Sequence, residues 1–164
     1  MELLDTSGAR FHALLARLTF SEDVVGDLMQ ELFLRLCGSR GFDKAKSPLA
    51  YAYRVAINLA FEHQRRARLK LQSLDEDCLC IENTRPCLDA MIQTEELQRV
   101  LDATLQLSDL ARDVVVMHYI EQKPYEEISQ LLGKKPQHLR SLSAKAMTRL
   151  RDLLIDKKES QDIK

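Results

Sequence analysis

The sequence predicts an all-α protein built as two small helical modules joined by a flexible linker, the second module containing a helix-turn-helix. Three observations predict it. Across the 164 residues Leu, Ala, Glu, Arg and Lys dominate, while Trp is absent and Gly (5) and Pro (4) are sparse; that composition favours helices. Apolar residues recur at intervals of three and four on both sides of a central stretch where the period fails. Charge is patterned although the net charge is only −1. A basic zone between Arg35 and Lys70, an acidic one between Asp75 and Asp113, and a second basic zone near the end suggest two separate basic surfaces.

The elements follow in order. Phe11, Leu14, Leu15 and Leu18 mark a short amphipathic helix. Ser21 is placed to cap the next, with Glu22 and Asp23 in its first turn. That helix carries Val24, Leu28, Met29, Leu32, Phe33 and Leu36 on its apolar side and ends at Gly38. A basic loop is expected from Ser39 to Ser47. Ser47-Pro48 then starts a third helix, with Ser at the cap and Pro in the first turn. It runs to about Arg68 with Leu49, Ala52, Ala56, Leu59 and Ala60 inward.

From Leu69 to Leu88 the chain is polar, mainly acidic and interrupted by Pro86, which reads as a linker. Helical spacing resumes at Met91, Ile92, Leu97, Val100, Leu101 and Leu105. Ser108 caps a further helix to about Glu121. Its Val114-Val115-Val116-Met117 run has β propensity, but helical flanks and the lack of a partner strand keep it helical. Pro124 opens a short helix that Gly133 stops, and Pro136 opens a last one. The divisions are residues 1–70, a linker 71–94, a second module 95–156, and a polar tail 157–164.

Between Ile128 and Arg151 there is no Asp or Glu. A helix, a Gly turn and an acid-free basic helix suggest DNA contact. Catalysis finds no foothold: there is no Gly-rich phosphate loop, nucleophile elbow or metal-ligand helix, and the four His are scattered, so no enzyme is expected. Cys78, Cys80 and Cys87, even with His63, lack zinc-knuckle spacing, so neither metal nor cofactor is expected. A redox role for those cysteines rests on position alone. No signal segment and no apolar run of membrane-spanning length is visible, so the expectation is a cytoplasmic chain without membrane insertion.

Two segments carry a resemblance. Asp27-Leu28-Met29-Gln30-Glu31-Leu32-Phe33-Leu34-Arg35-Leu36 is followed by Tyr51-Ala52-Tyr53-Arg54-Val55-Ala56-Ile57-Asn58-Leu59-Ala60 and by Arg65-Arg66. Later come Leu107-Ser108, Arg112, Val114, Tyr125, Glu127-Ile128-Ser129, Leu132-Gly133, His138-Leu139-Arg140-Ser141, Lys145-Ala146 and Leu150. In order and spacing these resemble regions 2 and 4 of the extracytoplasmic-function (ECF) group of bacterial RNA polymerase sigma factors. Departures are Tyr51 for a usual Trp, Lys135 for a capping Ser or Thr, Leu142 for an Arg, and Ser143 for an apolar residue. The chain ahead of region 2 is also short for the group. Leu139, Leu142, Ala146 and Leu150 offer an inward stripe for the last helix.

The resemblance implies a transcription initiation factor that directs core RNA polymerase to promoters and assists their opening, with an anti-sigma protein as a further partner. It implies a polymerase-binding surface at Asp27, Gln30, Glu31, Leu34 and Arg35; the plain alternative is a surface helix with Glu31 and Arg35 paired four apart. For the −10 element it implies Phe42, Lys46, Tyr53, Arg54, Asn58, Arg65 and Arg66, with packing as the alternative role of Tyr51 and Tyr53. For the −35 element it implies Gln137, His138, Arg140, Ser141, Lys145 and Arg149, against a merely solvated basic face. Two other functions stay open: a stand-alone helix-turn-helix regulator, and a shortened sigma-like decoy that binds an anti-sigma protein.

Overall fold

The computed structural model describes residues 2–74, 96 and 99–159, and every described element is helical. The first unit is made by α1 (Glu2–Thr19), α2 (Val25–Cys37), the short α3 (Arg40–Asp43) and α4 (Pro48–Leu74). The second is made by α5 (residues 99–105), α6 (Asp109–Val115), a π-helical turn (Val116–Ile120), α7 (Tyr125–Leu132) and α8 (Pro136–Glu159). Among the described residues, no helix is long and apolar enough to cross a membrane. Most of the proposed linker, its three cysteines, and the last residues of the tail lie outside the described set.

In the first unit α1, α2 and α4 pack on one another. Phe11, Leu14, Leu15 and Leu18 are buried as their spacing predicts. On α2 the buried face is Val25, Leu28, Leu32 and Leu36, rotated slightly from the expected one: Val24 becomes the cap position and Phe33 stays 37% exposed. Ser21 does not cap this helix, because two turn residues separate it from the cap at Val24. The expected loop after Gly38 contains α3, whose cap is Ser39: its Oγ accepts from the N–H of Gly41 (3.2 Å) and Phe42 (3.3 Å). Ser47 caps α4 as predicted, accepting from Ala50 N–H at 3.3 Å. Helix α4 continues to Leu74, past its expected end near Arg68, and no Gly or Pro stands before Pro86 to stop it.

In the second unit α6 and α7 both pack on α8. The valine run is helical, but its second half widens into the π-helical turn. The turn is closed by Gln122 at φ 55° and by a bond from Lys123 N–H to the Met117 carbonyl (3.0 Å). His118 Nδ1 lies 2.8 Å from the Lys123 carbonyl and its ring stacks on Tyr125 at 4.0 Å. Gly133 ends α7 in the left-handed conformation, φ 63° and ψ 33°.

The two units do not stand apart. One continuous apolar cluster runs from Phe11, Leu32, Tyr53 and Ile57 in the first to Val114, Val116, Met117, Ile128 and Leu139 in the second. A smaller cluster of Ala103, Leu107, Ala111, Val115, Ala146 and Leu150 lies within the second unit alone.

Candidate polymerase and nucleic-acid interfaces

Helix α2 turns its buried face to α1 and α4, which leaves Asp27, Gln30, Phe33 and Leu34 outward. Leu34 is 67% exposed and shares a shallow hollow with Met29, Gln30 and Phe33. Glu31 and Arg35 form the i,i+4 pair (2.6 Å), and Arg35 also donates to Glu62 of α4 (2.8 Å). Arg66 joins the same carboxylate at 3.5 Å. The Arg35 hydrogen bond, opposed by burial, holds the Glu62 carboxyl below its usual range. This surface therefore combines an apolar patch with a fixed charged border, the composition of a helix-binding interface.

The residues proposed for the −10 element scatter in environment. Phe42 on α3 rests against Tyr51 with ring centres 6.0 Å apart, and the Tyr51 hydroxyl bonds Ser39 Oγ at 2.8 Å. Lys46, Arg65 and Arg66 are exposed. Tyr53 is fully buried, tilted against Phe11 at 5.0 Å, with Lys123 Nζ 5.3 Å from its ring centre. In this arrangement Tyr53 is a packing residue and cannot reach a base. Arg54 Nε donates to Asp113 Oδ2 at 2.9 Å, and Arg112 donates to Asn58 Oδ1 at 2.8 Å. Asp113 is 0% exposed; burial raises its carboxyl above the usual range, with the bond from Arg54 pulling the other way. Arg112 also donates to Asp109 (2.9 Å) and lies 5.7 Å from the centre of the Phe61 ring.

The six residues proposed for the −35 element stand together on the outer face of α8, and all six are exposed. The helix is seated by Leu139, Ala146 and Leu150, with Leu142 partly covered. Ser143 is also on the seated face, only 1% exposed, and its Oγ has no hydrogen-bond partner among the described residues. Arg140 bonds Glu126 of α7 and lies 5.8 Å from the Tyr125 ring centre, so its guanidinium is held along the α7–α8 groove. Ser129, named in the sequence only as part of the motif, closes the turn. Its Oγ donates to the Lys134 carbonyl at 2.6 Å and its carbonyl accepts from Gly133 and Lys134. The first turn of α8 uses the Lys135 carbonyl, which accepts from His138 and Leu139 N–H at 3.0 and 3.2 Å.

Two family models match the chain in consecutive order: Sigma-70 region 2 over residues 3–70 and Sigma-70, region 4 over residues 97–150. This chain belongs to the sigma-70 family. Among curated proteins it is similar to the ECF RNA polymerase sigma factor SigE of Mycolicibacterium smegmatis, 30% identical over 155 residues, covering 93% of this chain. It is also similar to the ECF sigma factor SigK of Mycobacterium sp. (strain KMS), 26% identical over 141 residues, covering 80% of this chain and 70% of that one. The chain spans 60% of the length of the SigE relative. A solved structure of the sigma factor RpoE of Bartonella quintana, in complex with the anti-sigma factor NepR, is similar with TM-score 0.48 and 20% identity. The likeness covers 92% of this chain and 93% of that one.

In the terms of the family, α1 to α4 are region 2 and α5 to α8 are region 4. The helix of region 2 that carries Tyr53, Arg54 and Asn58 is met by Arg112 and Asp113 of α6 and by Lys123, just after the π-helical turn of region 4. Arg17 of α1 adds to this contact, donating to the Ile120 carbonyl at 2.8 Å and lying 3.7 Å from Glu121. Neither Asp113 nor Lys123 was marked by the sequence. Asp113 is a lone acid beside a valine run, and only the fold places it next to a base fifty-nine positions away.

Proposed function

We propose that this chain is the promoter-recognition subunit of a bacterial RNA polymerase. Helix α2 of region 2 engages core polymerase through Asp27, Gln30, Glu31, Leu34 and Arg35. Region 2 takes the −10 element through Phe42, Lys46, Arg54, Asn58, Arg65 and Arg66, with Tyr53 packed beneath them, and region 4 takes the −35 element through Gln137, His138, Arg140, Ser141, Lys145 and Arg149. The observation that carries this reading is the ordered pair of sigma-70 regions along one chain. The exposed polar row on α8 supports it, because a helix of this kind fits the major groove and its N-terminal residues reach base edges. Arg140 and Lys145 read bases, and Arg149 meets a phosphate.

The division of labour follows from the side chains. Chemistry belongs to the polymerase, and this chain supplies the address and helps open the strands. Two modest DNA contacts on one chain act together through effective concentration. An anti-sigma protein is the proposed regulatory partner, and the cytoplasm the proposed location.

The test is transcription. Purified chain added to core polymerase on a promoter library should give promoter-specific transcripts. The variant Glu31→Lys removes one of the two acids that hold Arg35 and places a like charge beside it on the polymerase-facing helix. It should weaken core binding by roughly tenfold or more. Absence of both core binding and directed initiation by the wild type would overturn the proposal.

A further inference from the structure

We propose that Glu126 is the positioning residue for Arg140: it makes Arg140 a reader of a guanine edge in the −35 duplex rather than a ligand of the phosphate backbone. The inference rests on the promoter-recognition reading and deepens it at one side chain of α8. Among the described residues, Arg140 is the one base of the outward α8 row that is paired with an acid. The acid comes from the neighbouring helix. Glu126 lies in the first turn of α7 and accepts from Arg140 Nη2, while Glu127 beside it turns to Lys123 at 3.3 Å. Between Ile128 and Arg151 the sequence has no Asp or Glu, so a carboxylate reaches this basic row only through the packing of α7 on α8.

A second contact fixes the same group. Arg140 Cζ lies 5.8 Å from the centre of the Tyr125 ring, and that ring is stacked in turn on His118 at 4.0 Å. His118 is tied through Nδ1 to the Lys123 carbonyl at 2.8 Å. The guanidinium therefore meets a carboxylate and an aromatic face, both carried by the first turn of α7. Only its Nη2 is bonded; Nε and Nη1 have no partner among the described residues. An arginine reads guanine by laying two N–H groups on O6 and N7, which needs the plane of the fork set beforehand. A loose arginine is drawn equally well to any phosphate. Glu126 works against that second outcome, because its charge offsets that of Arg140 and repels a phosphate beside it. The side chains of Arg140 and Glu126 are 51% and 60% exposed, so the pair adds little to stability and its effect belongs to recognition. An acid in the first turn of α7 also suits the helix dipole, but that effect would not act through Arg140.

The experiment uses the full chain bound to core polymerase. A library of duplex DNA with a randomised upstream promoter segment is captured by wild type, Glu126→Ala, Glu126→Gln, Arg140→Ala and the double alanine variant, and the bound DNA is sequenced. Affinity for one fixed, unrelated duplex is measured across a salt series. The wild type should prefer guanine at one position of the −35 element, and Arg140→Ala should lose that preference. Glu126→Ala should weaken it by about tenfold. The same variant should bind the unrelated duplex more tightly, with the slope of log affinity against log salt steeper by about one. Glu126→Gln keeps an acceptor for Nη2 but not the charge, so it should hold most of the guanine preference and share the steeper slope. The double variant should match Arg140→Ala, because Glu126 acts through Arg140 alone. A Glu126 that served only the fold would lower affinity for every sequence alike, the opposite sign on the unrelated duplex. Wild-type selection that Glu126→Ala or Arg140→Ala leaves unchanged overturns the positioning role. A wild type that selects no sequence with core polymerase overturns the promoter-recognition reading instead.

Discussion

Ser143 is a small residue whose environment does not match its chemistry. It lies on the face of α8 that seats the helix, is 1% exposed, and leaves its hydroxyl unpaired among the described residues. A buried hydroxyl without a partner costs on the order of 1–3 kcal/mol in lost hydration. Ser is also a poorer helix former than Ala, because its side chain competes for backbone bonds. Both effects have the same sign. Ser143→Ala should therefore stabilise the protein by about 1 kcal/mol, read as a higher urea midpoint with an unchanged slope. The six outward residues of α8 are untouched by this change, so the proposed DNA contact of region 4 should not move. An equal or lower midpoint would mean that the hydroxyl is satisfied in solution.

At the scale of elements, the turn between α7 and α8 depends on Gly133. Its φ of 63° is left-handed, where a Cβ is strained even though no atom lies within 4 Å of the place it would take. Gly133→Ala should cost about 1–2 kcal/mol, seen as a lower urea midpoint, and the loss should come from the backbone rather than from a clash. Elements like this were legible because local chemistry sets them: Ser47-Pro48 starts α4, Gly133 ends α7 and Pro136 starts α8. Elements that depend on partners were not. Helix α3 is one turn long, too short for any period, and is held by the Ser39 cap and the Tyr51 hydroxyl. Val24 and Phe33 fit the apolar stripe of α2 in sequence, yet α1 and α4 meet a face turned toward Val25. The outward row on α8 could be read because its seating residues recur at helical intervals. The engagement of Tyr53, Arg54 and Asn58 could not, since it depends on Lys123, Asp113 and Arg112 arriving from another module.

For the whole molecule, the distribution of apolar contacts sets how it should unfold. The cluster that belongs to region 4 alone is small and half alanine, with Ala103, Ala111 and Ala146 beside Leu107, Val115 and Leu150. Its larger apolar side chains, Val116, Met117, Ile128 and Leu139, join the cluster that continues into region 2. Region 4 therefore draws part of its burial from region 2, and losing one should expose surface on the other. Calorimetry of the wild type should show one endotherm, with the calorimetric and van't Hoff enthalpies equal, as for a single cooperative unit. Asp113→Ala removes the carboxylate that ties Arg54 to α6 while leaving the larger apolar residues in place. It should split the endotherm in two, with region 4 melting first because its own core is the smaller. Binding a short DNA to α8 should then raise only the lower transition, since ligand stabilises the unit that holds it. Two separate endotherms already in the wild type would mean that the shared cluster does not couple the regions.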